Sequence, residues 1–250
     1  MSTFKKDFLI NHDSPVPLHA QAELLLRKMI ELPEYKIQGK LLPKEVDLAK
    51  LWGISRNTLR QAINKLLMEG ILERKTGVGT KVIAKKITTN LDNWLSFTQE
   101  MTQKDIPMTN FFTKATWVKA TKSVANAFSI EEGKTILQLK RLRGLEQTPV
   151  VYFESYIHPR IEIDFNEDFN TSLYDLLENK YHIIPAVSKE EIKADKADKT
   201  LSQILKIEEN EPVLERIRLV LDIGKKPVEY CYAYYRYDLF TYSIDIKRNF

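Results

Sequence analysis

The sequence predicts an α+β chain of two domains: a small helical domain with a β wing, then a larger antiparallel sheet with helices. Three observations carry this. Residues 41–83 hold two short helix patterns, a glycine stop and a pair of strand patterns. Beyond residue 95 the texture changes to longer strand patterns joined by turns. The charge divides at the same place. Residues 1–86 hold 16 Lys and Arg against 9 Asp and Glu, a balance of +7, and the remainder holds 22 against 25, a balance of −3. A basic front on an acidic remainder fits two partners, a polyanion for the first domain and something else for the second. The 250 residues leave room for both.

Composition narrows the class. Hydrophobic residues at 43% and charged ones at 29% are those of a soluble globular protein. No apolar run reaches the length of a membrane helix. The N-terminal stretch MSTFKKDFLINHDSP has two lysines but neither an apolar core nor a small-residue cleavage site, so it does not read as a signal peptide. The single cysteine, Cys231, excludes an internal disulfide and fits the cytoplasm.

In chain order, residues 1–15 read as a flexible arm. Over 17–32, Ala22, Leu25, Leu26, Met29 and Ile30 line one face of a helix that Pro33 helps to end. A second helix has Val46, Leu48, Ala49 and Leu51 as its apolar positions, and Gly53 allows a sharp turn after it. Ser55 can cap a third helix, since its hydroxyl takes an orphan amide of the first turn. There Leu59, Ala62, Ile63, Leu66 and Leu67 recur at helical spacing, and Gly70 supplies the left-handed stop. Arg56, Asn57, Arg60 and Asn64 fall on the opposite face. Residues 71–74 and 81–83 alternate like strands around Lys75, Thr76, Gly77, Val78 and Gly79. This is a winged helix-turn-helix over 16–83 with a basic third helix and a basic wing tip.

Arg56 and Arg60 lie one turn apart and point the same way. Arginine makes bidentate contacts to guanine and clamps phosphates. An amphipathic helix with a solvated basic face is the plainer reading; the turn at 53–55 and the wing favour DNA.

Residues 84–94 are polar, without helical or strand period, and read as a linker to a domain at 95–250. Strands are predicted at 110–119, at 135–146 with 150–157 as a hairpin through Gln147, Thr148 and Pro149, at 187–194, and at 213–221 with 228–237. Helices are predicted at 96–103, 122–128, 171–178 and 199–205. Hairpin connections imply an antiparallel sheet with helices on one side. The alternating run Tyr230, Tyr232, Tyr234, Tyr235 and Tyr237 is expected to build core and dimer contact.

One constellation in this domain stands out. Arg141 and Arg143 are two apart, hence on one strand face. Two adjacent guanidiniums repel unless an anion sits between them or carboxylates answer them. Glu154, on the hairpin partner, is a candidate answer, which leaves a salt-bridged sheet surface as the alternative to a binding site. Glu229 and Tyr235 share a face and offer a carboxylate and a phenol. Ser172 opens a helix containing Tyr174, and a helix N-terminus attracts anions. Ser96 and Phe97 are further candidates, expected to close such a pocket.

Two resemblances give these patterns a family. LLPKEVDLAKLWGISRNTLRQAINKLLMEGILERKTGVGTKV resembles the DNA-binding domain of GntR-type bacterial transcription regulators, in which L-P-S-E, G-V-S-R-x-T-V-R and G-x-G-T recur in this order. The match reaches upstream to Pro17, Leu18 and Gln21. It implies Arg56, Thr58 and Arg60 as helix contacts to DNA and Lys75, Gly77, Val78 and Gly79 as wing contacts, with Asn57 on the same face. Lys44 departs from the pattern, which has a capping serine there. Loss of that cap costs about 1 kcal/mol, whereas the added cation suits a phosphate. RLRGLEQTPVVYFESYI, TSLYDLLE and GKKPVEYCYAYYRYDLF resemble the UTRA domain of the HutC subfamily. That likeness implies a chorismate-lyase-like fold and a small effector. In sugar-phosphate-sensing relatives the arginine pair and the Ser-x-Tyr motif serve the phosphate.

Other chemistry finds no support. His12, His19, His158 and His182 are scattered without ligand spacing, so no metal is expected. No nucleophile elbow or glycine-rich nucleotide loop occurs, so neither a cofactor nor an enzyme is expected. The expectation is a cytoplasmic homodimeric regulator, a repressor of a catabolic operon. It binds a double-stranded operator and responds to a sugar or sugar phosphate, with no membrane association. The alternatives are a UTRA-fold protein with residual lyase-like activity and a ligand-independent DNA binder.

Overall fold

The computed structural model describes residues 9–37, 39–83, 86–90 and 95–246 and divides into two compact units at Lys86 and Ile87. The first unit contains α1 (Leu18–Ile30), α2 (Pro33–Lys36), α3 (Glu45–Trp52), α4 (Arg56–Met68), β1 (Leu72–Lys75) and β2 (Gly79–Val82). The predicted faces of α1 and α4 are buried together: Ala22, Leu25, Leu26, Met29 and Ile30 pack with Leu59, Ala62, Ile63 and Leu66. Each large aliphatic side chain so buried contributes about 1.5–3 kcal/mol. Ser55 caps α4 by accepting from the Thr58 amide at 3.0 Å. Gly53 and Gly70 both adopt positive φ, 63° and 68°, the conformation that makes them helix stops.

Two expectations change in this unit. Val46 and Leu51 are exposed, while Trp52 is buried with Leu48 and Ala49. These three define the inward stripe of an eight-residue helix, and Val46 and Leu51 fall to either side of it. The arm expected over 1–15 is tied down from Asn11 onward, because the Gln21 amide bonds the Asn11 backbone N and O at 2.9 Å and the Val16 carbonyl at 2.8 Å. Residues 1–8 lie outside the described residues.

The second unit contains β3 (Ile87–Asn90), α5 (Phe97–Gln103), β4 (Thr109–Lys119), α6 (Lys122–Phe128), β5 (Thr135–Leu145), β6 (Thr148–Ile157) and α7 (Leu173–Tyr181). It continues through β7 (Pro185–Lys196), α8 (Lys199–Leu205), β8 (Pro212–Asp222), β9 (Pro227–Arg236) and β10 (Phe240–Ser243). Six strands form one antiparallel sheet in the order β4-β5-β6-β9-β8-β7. The expected α+β architecture is present.

Several details differ from the sequence reading. Part of the expected linker is a strand: β3 pairs in parallel with β10, Ile87 opposite Phe240. Only Ile87 and Thr89 of its four residues turn inward, a period too short to read. Residues 84, 85 and 91–94 of that linker lie outside the described residues.

The β5–β6 turn is Glu146 and Gln147, with Glu146 at φ 49°, and Thr148 already pairs with Leu145. Gly144 explains the shift. A Cβ there would lie 2.0 Å from the Thr148 carbonyl oxygen, so only glycine admits this close crossing and the bulge between Arg143 and Gly144.

Helices cover both faces of the sheet rather than one. The apolar side of α7 packs on Leu137, Leu139, Val220 and Val228. On the other face α6 packs near Ile136, Tyr156, Tyr230 and Tyr232, and α8 near Leu142, Tyr152, Val213 and Tyr234. Strand alternation sends odd and even residues to opposite covers.

Candidate functional site

Two sites emerge, one in each unit. In the first, α4 presents Arg56, Asn57 and Arg60 to solvent, with Thr58 half-buried beside its Ser55 cap. The wing hairpin pairs Lys75 with Gly79, and the turn between them closes through the Val78 amide on the Lys75 carbonyl at 3.0 Å. Gly77 and Gly79 have φ of 77° and 133°, so the tip backbone is bare of β-carbons where it turns. Lys44 occupies the N-cap of α3 without a side-chain cap bond, as its chemistry requires.

Sequence reasoning missed two partners on this face. Glu45, in the first turn of α3, accepts from Arg60 Nε at 2.7 Å and from Arg74 Nη2 at 3.1 Å. One carboxylate of α3 thus joins α4 to the base of the wing. Among the described residues, the ion pair of Lys75 is a distant one, to Glu73 at 3.9 Å.

The second site lies on the α7 face of the large sheet. A cavity of about 540 Å³, counted with the part open to solvent, is lined by Ser96, Phe97, Arg141, Arg143, Tyr174, Glu229 and Tyr235. Arg141 and Arg143 share the inward face of β5, 8% and 4% exposed. Among the described residues neither has a carboxylate partner. Arg143 donates to Thr98 Oγ1, and through Nη2 to the Asn170 carbonyl at 3.3 Å. The Arg141 guanidinium lies over the Phe153 ring, 5.7 Å from its centre. The Nε atoms of both arginines are buried without a hydrogen-bond partner. Burial, with Arg141 adding repulsion, pulls Arg143 down to about 10, so the side chain stays charged at neutral pH.

The far wall is answered rather than open. Glu190 of β7 accepts from Arg216 Nε and Nη2, at 2.6 and 2.5 Å, and from Arg218 Nε at 2.9 Å. Burial works against the Arg216 charge, but Tyr235, Tyr242 and Glu190 outweigh it and hold that guanidinium above its ordinary range. Arg218 donates to the Tyr174 hydroxyl at 3.2 Å, which donates to Glu229 at 2.8 Å. Burial and the Glu229 charge push the Tyr174 phenol well up, keeping its proton available for that bond. Cys231, on the same wall, is pushed up by burial to about 12 and is an inert thiol.

Phe97 closes one side, 5.3 Å from the Phe153 ring and 6.4 Å from Tyr235. Ser96 caps α5 in a reciprocal box with Gln99. Ser172 caps α7 and lies behind the cavity wall, its Oγ 3.5 Å from that of Ser96.

Glu154 is the expectation the structure contradicts. It stands opposite Lys140 and Tyr232, on the far face of the sheet, and bonds Gln138 and Tyr156. The pleat decides this, since Glu154 neighbours the inward Phe153 and must point away from it. The sequence reading also omitted Thr98, Arg216 and Arg218, which line the cavity. The two-residue spacing of Arg216 and Arg218 was as visible as that of Arg141 and Arg143.

No three His, Cys, Asp or Glu side chains cluster to hold a metal among the described residues, and no helix there is long and apolar enough to cross a membrane.

Comparison with known proteins agrees with this division. Residues 18–82 match the model of bacterial regulatory proteins of the gntR family, and residues 107–241 match the UTRA domain. The HTH-type transcriptional regulator GmuR of Bacillus subtilis is 30% identical over 231 residues, covering 89% of this chain and 96% of its own length. The HTH-type transcriptional repressor NagR of the same species is 29% identical over 235 residues, covering 93% and 96%. The crystal structure of PhnF from Mycobacterium smegmatis shares the fold at a TM-score of 0.62 and 21% identity, over 91% of this chain and all of that one. The chain therefore belongs to the GntR family of bacterial regulatory proteins, in its UTRA-bearing HutC branch, and is a DNA-binding transcription regulator with an effector domain.

Proposed function

We propose that the protein is a cytoplasmic homodimeric repressor whose effector is a sugar phosphate bound between Arg141 and Arg143. The observation that carries this is the pair of buried guanidiniums on one strand face with no carboxylate partner among the described residues. Burying a charge without a partner costs several kcal/mol, so the site is primed for an anion that supplies the partner. Glu229, with Tyr174 and Arg218 beside it, offers the opposite end a carboxylate acceptor within a donor network suited to hydroxyls. A relative, the Mannosyl-D-glycerate transport/metabolism system repressor MngR of Escherichia coli, 24% identical over 240 residues, bears a sugar-derived compound in its name. A ligand-independent DNA binder would leave the cationic cavity without a purpose, and residual lyase chemistry finds no catalytic set in it.

On this reading Arg56, Asn57, Thr58 and Arg60 read the operator, while Lys44, Lys75, Gly77, Val78 and Gly79 hold its backbone. Two such units match a two-fold operator, and effector binding shifts the population toward an arrangement that fits it poorly. The dimer contact falls to the second unit. Tyr230, Tyr232 and Tyr234 of the interior strand β9 sit under α6 and α8, and Tyr235 lines the cavity, so β4 and β7, at the ends of the sheet order, are the better candidates for the contact.

The test is operator binding by anisotropy with a panel of sugar phosphates and their neutral sugars. A sugar phosphate should release the DNA from wild-type protein and not from Arg143→Ala. Release by a neutral sugar alone would refute the phosphate role.

A further inference from the structure

We propose that Glu45 is a positioning residue for DNA recognition, fixing Arg60 of α4 and Arg74 of the wing in one reading geometry. The inference rests on Arg60 being a DNA contact. Glu45 itself is poorly placed to touch DNA, since phosphate oxygens repel a carboxylate. It is nevertheless on the face that carries Arg60 and Arg74, its side chain 20% exposed beside arginine side chains that are 49% and 48% exposed.

Stability is a weak reason for it to be there. Ion pairs this exposed contribute little to stability, because water screens them and two long side chains must be ordered to make them. Geometry is a better one. Arg60 arrives from α4 and Arg74 from the first wing strand, and Glu45 of α3 takes one from each with its two oxygens, Oε2 and Oε1. Each long side chain is thereby held by a rigid neighbour while much of its guanidinium remains open to solvent. No contact of this kind restrains Arg56, which has no ion pair among the described residues. Ordering a free arginine on binding costs affinity, and a carboxylate that has already ordered two of them removes that cost in advance. It also fixes the distance between helix contact and wing contact, hence the register in which a duplex is read.

Simple charge counting makes the opposite prediction. Deleting a negative charge from a DNA-facing surface should strengthen binding to any duplex. The experiment uses full-length protein and a duplex selected by the wild type from a random pool, with a scrambled duplex of equal length as reference. Dissociation constants are measured for wild type, Glu45→Gln, Glu45→Ala and Arg60→Ala, and for Glu45→Ala added to an Arg60→Ala, Arg74→Ala background. Melting curves confirm that each variant is folded, and Glu45→Gln keeps the side-chain shape should the alanine variant fail.

The expected result is weakening for the selected duplex by roughly tenfold in Glu45→Ala and less in Glu45→Gln, with the scrambled duplex bound as before or more tightly. In the background lacking both arginines the Glu45 effect should vanish, because nothing remains to be positioned. Tighter binding of both duplexes, or an equal loss on both, overturns the proposal. So does an unchanged Glu45 effect in that background. If Arg60→Ala leaves the selected duplex unaffected, the reading of α4 itself fails, a result distinct from an Arg60 effect without a Glu45 effect.

Discussion

The two units use arginine in opposite ways. On α4 and the wing, Arg60 and Arg74 are half exposed, and a shared carboxylate holds them while leaving them wet. On β5, Arg141 and Arg143 are nearly sealed from water and, among the described residues, meet a hydroxyl, a carbonyl and a ring but no carboxylate. Exposed cations cost little to keep and attract a polyanion through a field that salt screens. Buried unanswered cations are expensive to keep and bind a small anion with little screening. The contrast explains why one charge type serves a long ligand at one end of the chain and a small one at the other. It also implies that the two sites answer differently to salt, to pH and to neutral replacement.

The largest effect is expected at the buried pair. Arg143→Ala should abolish the effector response, while operator affinity, which resides in the other unit, stays within a few-fold in the same titration. Next is the exposed face. Arg56→Ala and Arg60→Ala should each cost about 1–3 kcal/mol of specific binding where the arginine reads a base. Unchanged operator binding in the double variant would remove α4 from the account. A third expectation separates the two environments by stability. Arg143→Met, which fills the same volume without charge, should stabilise the ligand-free protein by about 1–3 kcal/mol in denaturant titrations.

That gain has a pH signature. A base held below its unfolded value binds fewer protons folded than unfolded, so its penalty is present in full below about 10 and relieved as pH rises through it. The advantage of Arg143→Met should therefore be flat across neutral pH and shrink in alkali. At the N-cap of α3, Lys44→Ser should restore a cap and add about 1 kcal/mol to the first unit. The smallest effect is expected from Glu154→Gln, which faces away from the cavity and should leave the effector response as it was.

Much of this was legible in the sequence, and what was not has local causes. The third helix was readable because Ser55, five apolar positions and Gly70 agree on the same element. Arg141 and Arg143 were placed on one face by period alone. Glu154 failed because the sequence shows that two strands pair but not which residues stand opposite, and one step in register reverses the face. The bulge at Gly144 makes counting back from the turn unsafe. Glu45 and Arg74 went unseen because the ion triad joins residues 15 and 29 positions apart, beyond any local pattern. The strand at Ile87–Asn90 depends on a partner at Phe240, and a four-residue stretch with three polar members carries no sign of it.

The central claim is that a buried cationic cavity awaits an anion, and inorganic phosphate tests it without knowledge of the effector. Melting of full-length wild-type protein should rise with phosphate at constant ionic strength held by chloride, since a ligand that binds only the folded state stabilises it. The Arg143→Met protein should start higher and gain little. Equal gains in the two proteins, or none in the wild type, would contradict the account.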